Sequence, residues 1–81
     1  MIREYPTLTK LRRGEVVELG GMFFKKDEGD LKPGDLYIAE RNGLPKLLEV
    51  KRVDLDYGTV VPTTPEYCFD LGECIKIKET K

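Results

Sequence analysis

Leu36-Tyr37-Ile38-Ala39-Glu40-Arg41-Asn42-Gly43-Leu44-Pro45-Lys46-Leu47-Leu48-Glu49-Val50-Lys51-Arg52-Val53-Asp54-Leu55 carries the clearest structural signal in the chain. Asn-Gly between two runs rich in Leu, Ile, Val and Tyr marks a two-residue hairpin turn, because both central positions of that turn take the positive φ that Asn and Gly tolerate. The pattern predicts a strand over 36–41 and a return strand over about 46–55. Leu47 and Leu48 are adjacent and alternation then resumes as Leu48, Val50, Arg52, which predicts a bulge near that pair.

Outward from this hairpin, turn signals recur between short β-branched and aromatic segments, the spacing of a small all-β domain. Lys32-Pro33-Gly34-Asp35 is a tight turn, with Pro33 presetting φ and Gly34 in the left-handed position. Gly20-Gly21 joins Glu15–Leu19 to Met22–Lys26, and Asp56-Tyr57-Gly58 turns into Thr59-Val60-Val61. Pro62 ends that strand because it has no N–H to give to a ladder. In the last strand Ile75 and Ile77 point inward and Lys76 and Lys78 outward. Over Tyr5–Arg13, Leu8 and Leu11 fit one short helical turn capped by Thr7 or Thr9. The expectation is an all-β domain of five or six antiparallel strands closed into a small SH3-like or OB-like barrel, since closure hides sheet edges; a two-layer sandwich is the alternative. Val17, Leu36, Ile38, Leu48, Val50, Val60, Ile75 and Ile77 form the expected core. Phe23 and Phe24 point to opposite sides of a strand, so one needs cover from a loop, a partner or a second copy, which leaves a homo-oligomer open.

The 81 residues, 40 % hydrophobic with 14 basic and 15 acidic groups, suffice for a single domain over 1–81 with one thin core. The chain contains no His, Ser, Trp or Gln. Ser–His and Cys–His catalysis and histidine metal sites are therefore excluded; no enzyme, cofactor or metal centre is expected. The net charge of −1 argues against a general nucleic-acid binder. Charge is nevertheless blocked: basic excess over 1–26, 41–52 and 74–81, acidic excess over 27–40 and 53–73. Such blocks either pair across a sheet or build a two-signed face for a charged partner. Cys68 and Cys74 have neither zinc-ligand nor redox-dithiol spacing and read as two buried, reduced thiols, with a disulfide between them the lesser alternative. Asp54 and Asp56 share a strand face and could hold a divalent cation, or simply end a strand in solvent. Met1–Pro6 lacks a signal-type apolar segment, and the longest apolar run, Leu36–Ala39, falls far short of the ~20 residues that span a bilayer. The chain reads as soluble and intracellular, with no membrane partner.

The least generic tract is 58–74, where Pro62 and Pro65 stiffen a loop carrying Thr63, Thr64, Tyr67, Asp70 and Glu73. Rigid residues lose little entropy on docking, so this loop is the candidate binding surface. Arg12, Arg13, Arg41 and Lys46 are its candidate cationic half, for a partner or an anionic ligand. On the other reading, Tyr67, Phe69 and Leu71 cap one end of the barrel.

The series Lys-Pro-Gly-Asp-Leu-Tyr-Ile-Ala-Glu-Arg-Asn from Lys32, Pro-Lys-Leu-Leu from Pro45, Pro-Thr-Thr-Pro-Glu-Tyr-Cys-Phe-Asp from Pro62 and Gly-Glu-Cys-Ile-Lys-Ile from Gly72 resembles small accessory proteins of tailed bacteriophages and prophages. In those proteins an aromatic-Asp precedes Glu-Cys, a basic and a β-branched residue, here Phe69-Asp70, Glu73-Cys74, Lys76 and Ile77. The resemblance implies a non-enzymatic protein in the cytoplasm of a bacterial host. Its use would be to antagonise a host process, immunity included, by occupying a host protein or sequestering a small nucleotide signal. In a second likeness, Lys32–Leu36 is similar to the Gly-Asp turn of KOW-type barrels that contact RNA in ribosomes and transcription complexes; the acidic 53–73 block weighs against it.

Overall fold

In a computed structural model, which describes residues 5–80, one helix and seven strands follow the turn signals closely. The reading of a leader-free N-terminus rests partly on residues 1–4, which lie outside the described residues, as does residue 81. The elements are α1 (Pro6–Arg12), β1 (Val17–Leu19), β2 (Met22–Lys26), β3 (Leu36–Arg41), β4 (Leu44–Asp54), β5 (Thr59–Pro62), β6 (Phe69–Asp70) and β7 (Cys74–Thr80), with a 3-10 turn at Leu71–Glu73. Among the described residues, no helix is long and apolar enough to cross a membrane.

The β3–β4 hairpin turns on Asn42 and Gly43 at φ 56° and 78°, as Asn-Gly requires. All neighbouring strands run antiparallel in the order β1-β2-β7-β3-β4-β5-β6. The sheet is open, with β1 and β6 at its edges, which corrects the expected SH3-like or OB-like barrel. Two devices hide its faces without closure. On one face α1 packs Leu8 and Leu11 onto Val17, Phe24, Ile38, Ile75 and Ile77. On the other, Val60 of β5 and Phe69 of β6 join Tyr37, Ala39, Leu48, Val50 and Cys74, so the β4–β5–β6 end of the sheet curls over the centre. The middle of β3 and the first residues of β7, Cys74 and Ile75, are thus buried on both sides, while Lys78 and Glu79 farther along β7 are exposed.

The curl has a local cause. The β4–β5 register runs Val50↔Pro62 and then Arg52↔Val61, leaving Lys51 as an extra residue. This bulge lies beyond the Leu47-Leu48 pair where sequence placed it. Leu47 and Leu48 simply face opposite sides, opposite Ile38 and Tyr37 respectively. The extra residue bends the strand and turns Val53 rather than Arg52 toward Val60.

Seven of the eight expected core residues are buried; Leu36, at the start of β3, stays 43 % exposed. It shares a face with Ile38 but lies two residues farther from the α1 contact at Glu40. Phe24 is buried and Phe23 is 51 % exposed. Neither Thr7 nor Thr9 caps α1, which begins at Pro6 with no side-chain cap from its own N-terminal flank. The fully buried Glu40 of β3 does so instead, accepting from the Thr7 N–H at 3.1 Å and the Leu8 N–H at 3.1 Å.

Candidate functional site

A two-residue turn makes its flanking residues direct neighbours, so Arg41 pairs with Leu44, and two steps down the ladder Ala39 pairs with Lys46. Paired residues project to one face. The loop from Thr63 to Cys68 is tied back to β4 by the Thr63 N–H donating to the Glu49 carbonyl at 3.0 Å. Between the hairpin tip and this loop lies a pocket of about 210 Å³ lined by Arg41, Asn42, Leu44, Lys46, Glu66, Tyr67 and Phe69. Phe69 forms its buried floor, while Tyr67 at 87 % and Leu44 at 69 % exposure form its rim.

Both cations of the pocket are engaged. Arg41 donates through Nη2 and Nε to the two Glu73 oxygens at 2.9 and 3.3 Å, and its guanidinium carbon lies 4.8 Å from the Phe69 ring centroid. Its hydrogen bond to Glu73 pushes the guanidinium pKa up still further, so the charge is permanent. Glu73 is buried and also accepts from the Asp70 N–H at 3.3 Å and the Tyr5 hydroxyl at 3.4 Å. Asp70 and Glu73 complete a reciprocal capping box around the 3-10 turn. Lys46 Nζ meets Glu66 Oε2 at 2.8 Å on the exposed rim. Arg41 also donates to the Cys68 carbonyl at 3.4 Å, so each cation ties the loop or the 3-10 turn to the hairpin.

Of the residues nominated from sequence, Arg41, Lys46 and Tyr67 line this pocket, and Asp70 and Glu73 brace it from below. Thr63 and Thr64 are exposed on the same loop but outside the pocket. Arg12 reaches the 3-10 turn from the other side, donating to the Gly72 carbonyl at 3.0 Å, and with Arg13 lines a separate cleft. With no barrel to cap, of the three residues read as its cap Phe69 is buried in the core under β5–β6, while Tyr67 and Leu71 are exposed. Sequence reasoning passed over Leu44, Glu66 and Phe69 as wall residues. The signal for Leu44 was available, since an Asn-Gly turn necessarily sets it opposite Arg41.

The cysteines are both free, but Cys68 is exposed, which corrects the reading of two buried thiols. It lies on the loop just before β6, where no strand covers it. Cys74 is buried, and burial, with the Glu73 and Asp70 charges behind it, pushes its thiol up to about 12. Such a thiol carries almost no thiolate at neutral pH and is a poor nucleophile. Asp54 accepts from the Asp56 and Tyr57 N–H groups at 3.1 and 3.3 Å, organising the β4–β5 turn. Among the described residues, no group of three or more Cys, Asp or Glu is placed to hold a metal ion. Comparison with protein-family models, curated proteins and solved structures returned no match to this chain.

Proposed function

We propose that this protein is a non-enzymatic, phage-type accessory protein that antagonises a host process by binding a host protein through the Leu44–Tyr67 pocket. The observation that carries the reading is the pairing of two exposed apolar side chains with a pre-braced wall. Tyr67 and Leu44 stand in solvent, yet the loop, the 3-10 turn and the hairpin beneath them are joined by the Arg41–Glu73 and Lys46–Glu66 pairs. Exposed aromatic anchors on a rigid base, next to an arginine, are where protein interfaces concentrate their energy. The resemblance on 32–78 supplies the phage and host context. A protein partner fits better than a free nucleotide, because the pocket's cations are already neutralised by carboxylates.

The test compares wild type with the double variant Leu44→Asp/Tyr67→Ala as baits in bacterial lysate. Both side chains are exposed, so melting temperature should stay within a few degrees. The expected result is a host protein retained by wild type, lost at least tenfold in the variant, and reconstituted with purified components. Identical capture by both baits overturns the pocket as the interface. A rise in melting temperature with micromolar nucleotide would favour sequestration instead.

A further inference from the structure

Strand β2 offers a second, chemically different surface. Phe24 is buried under α1, so its neighbours Phe23 and Lys25 share the opposite, solvent-facing side of the sheet. Lys25 stands directly opposite Lys78 of β7. Two lysines in register across an antiparallel pair repel one another and cost stability. The outer edge of β2 is also uncovered here, because β1 begins at Val17 opposite Phe24 and leaves Lys25 and Lys26 without a neighbouring strand on that side. Around this open edge a cleft of about 400 Å³ collects Lys25, Lys26, Lys78 and, from the end of α1, Arg12 and Arg13. Among the described residues Glu28 is the one carboxylate on its wall.

Ion pairs among the described residues join Arg41 to Glu73, Lys46 to Glu66, Lys76 to Asp35 and, beside the cleft, Arg13 to Glu15 at 3.9 Å. Lys25, Lys26 and Lys78 have no ion pair among the described residues. A net charge of −1 therefore coexists with a segregated basic edge. The Phe23 ring, half in solvent at 51 %, lies outside the cleft, two residues from Lys25 on the same face and across the ladder from Glu18. A ring for stacking beside flexible cations for phosphates is the chemistry that holds unpaired nucleotides.

We propose that the open edge of β2 binds single-stranded nucleic acid, with a base stacked on Phe23 on one face and the phosphate backbone passing Lys25 and Lys78 around the edge to the Arg12–Arg13 end of α1 on the other. The occupant is single-stranded because a duplex hides its base faces from Phe23. This surface is separate from the Leu44–Tyr67 pocket and does not depend on it.

The test is fluorescence anisotropy with a labelled twelve-nucleotide oligo-uridine and a duplex of equal length. Wild type should bind the single strand at micromolar concentration in 50 mM salt and weaken about fortyfold by 300 mM, the loss expected for three phosphate contacts. Lys25→Glu should cut affinity at least tenfold while raising the melting temperature, because it converts the Lys25–Lys78 repulsion into an attraction. Phe23→Ala should weaken binding severalfold with the salt slope unchanged. Absence of binding at 100 μM protein in low salt overturns the proposal, as do equal affinity for the duplex and indifference to Phe23→Ala. Binding to anionic phospholipid vesicles without binding to the oligonucleotide also overturns it.

Discussion

Glu40 is a fully buried carboxylate whose partners are the first backbone donors of α1. Removing it strands donors that have no intrahelical acceptor. Glu40→Ala should cost roughly 2–3 kcal/mol in urea unfolding, and Glu40→Gln, which keeps an acceptor oxygen, clearly less. The folded state holds the Cys74 proton up to about pH 12, whereas an unfolded thiol releases it near pH 8.5. Across that window the native state binds more protons than the unfolded one, so stability falls as pH rises. Below it the contribution is complete. Thermal melts should therefore drop progressively above about pH 8.5, and Cys74→Ala should flatten the first part of that slope; buried Tyr37, whose hydroxyl is also pushed upward by burial, sustains the fall at higher pH. At pH 8 a thiol reagent should label Cys68 alone until denaturant is added. The position of Glu40 was readable in part, because period-two alternation sets it on the face of Ile38. That a charge would be buried there depended on a helix whose docking no local pattern announces.

The turns at Gly20-Gly21, Pro33-Gly34, Asn42-Gly43 and Tyr57-Gly58 were legible at the level of elements, since each pair demands a particular backbone, whereas β6 and the 3-10 turn at Leu71–Glu73 carry no such signal. The bend in β4 was not. Strict alternation through Leu48, Val50 and Arg52 points an arginine inward, and only the neighbouring strand reveals that Lys51 is skipped and Val53 takes the inner place. This register is checkable with two substitutions. Val53→Ser, which removes a side chain packed on the Val60 and Phe69 cluster, should cost about 1–2 kcal/mol. Arg52→Ser on the exposed side should change stability by less than about 0.5 kcal/mol. The opposite ranking would restore the unbulged strand. The same bend explains the candidate pocket, whose loop wall reaches the β3–β4 hairpin because β5 and β6 are folded back over it.

For the molecule as a whole, one sheet serves two separate cores. Ile38, Ile75 and Ile77 lie under α1, while Tyr37, Ala39 and Cys74 lie under the curled β5–β6 end. Ile75→Ala should therefore cost about 2–5 kcal/mol, a large share of the stability of so small a domain. Closure was the natural expectation from five or six short strands with little else to cover them. The alternative, a helix on one face and a bend on the other, required knowing that α1 packs on the sheet and that β4 kinks. The pocket is legible to the same extent: Tyr67 and Arg41 stand out in the sequence, but their meeting is a product of the bend.

The strand order has a consequence for synthesis. Strand β7, translated after the other six, is the one that sits between β2 and β3 and supplies side chains to both cores. Until it leaves the ribosome, the β1–β2 hairpin and the β3–β6 meander have no partner strand between them, and each presents a half-built apolar wall. The two halves of the sheet therefore cannot join, and the core under α1 cannot be completed by Ile75 and Ile77, until residues 74–80 have emerged. Ribosomes stalled so that residues up to 73 have emerged should carry a protease-sensitive chain, and protection should appear abruptly once Thr80 clears the exit tunnel.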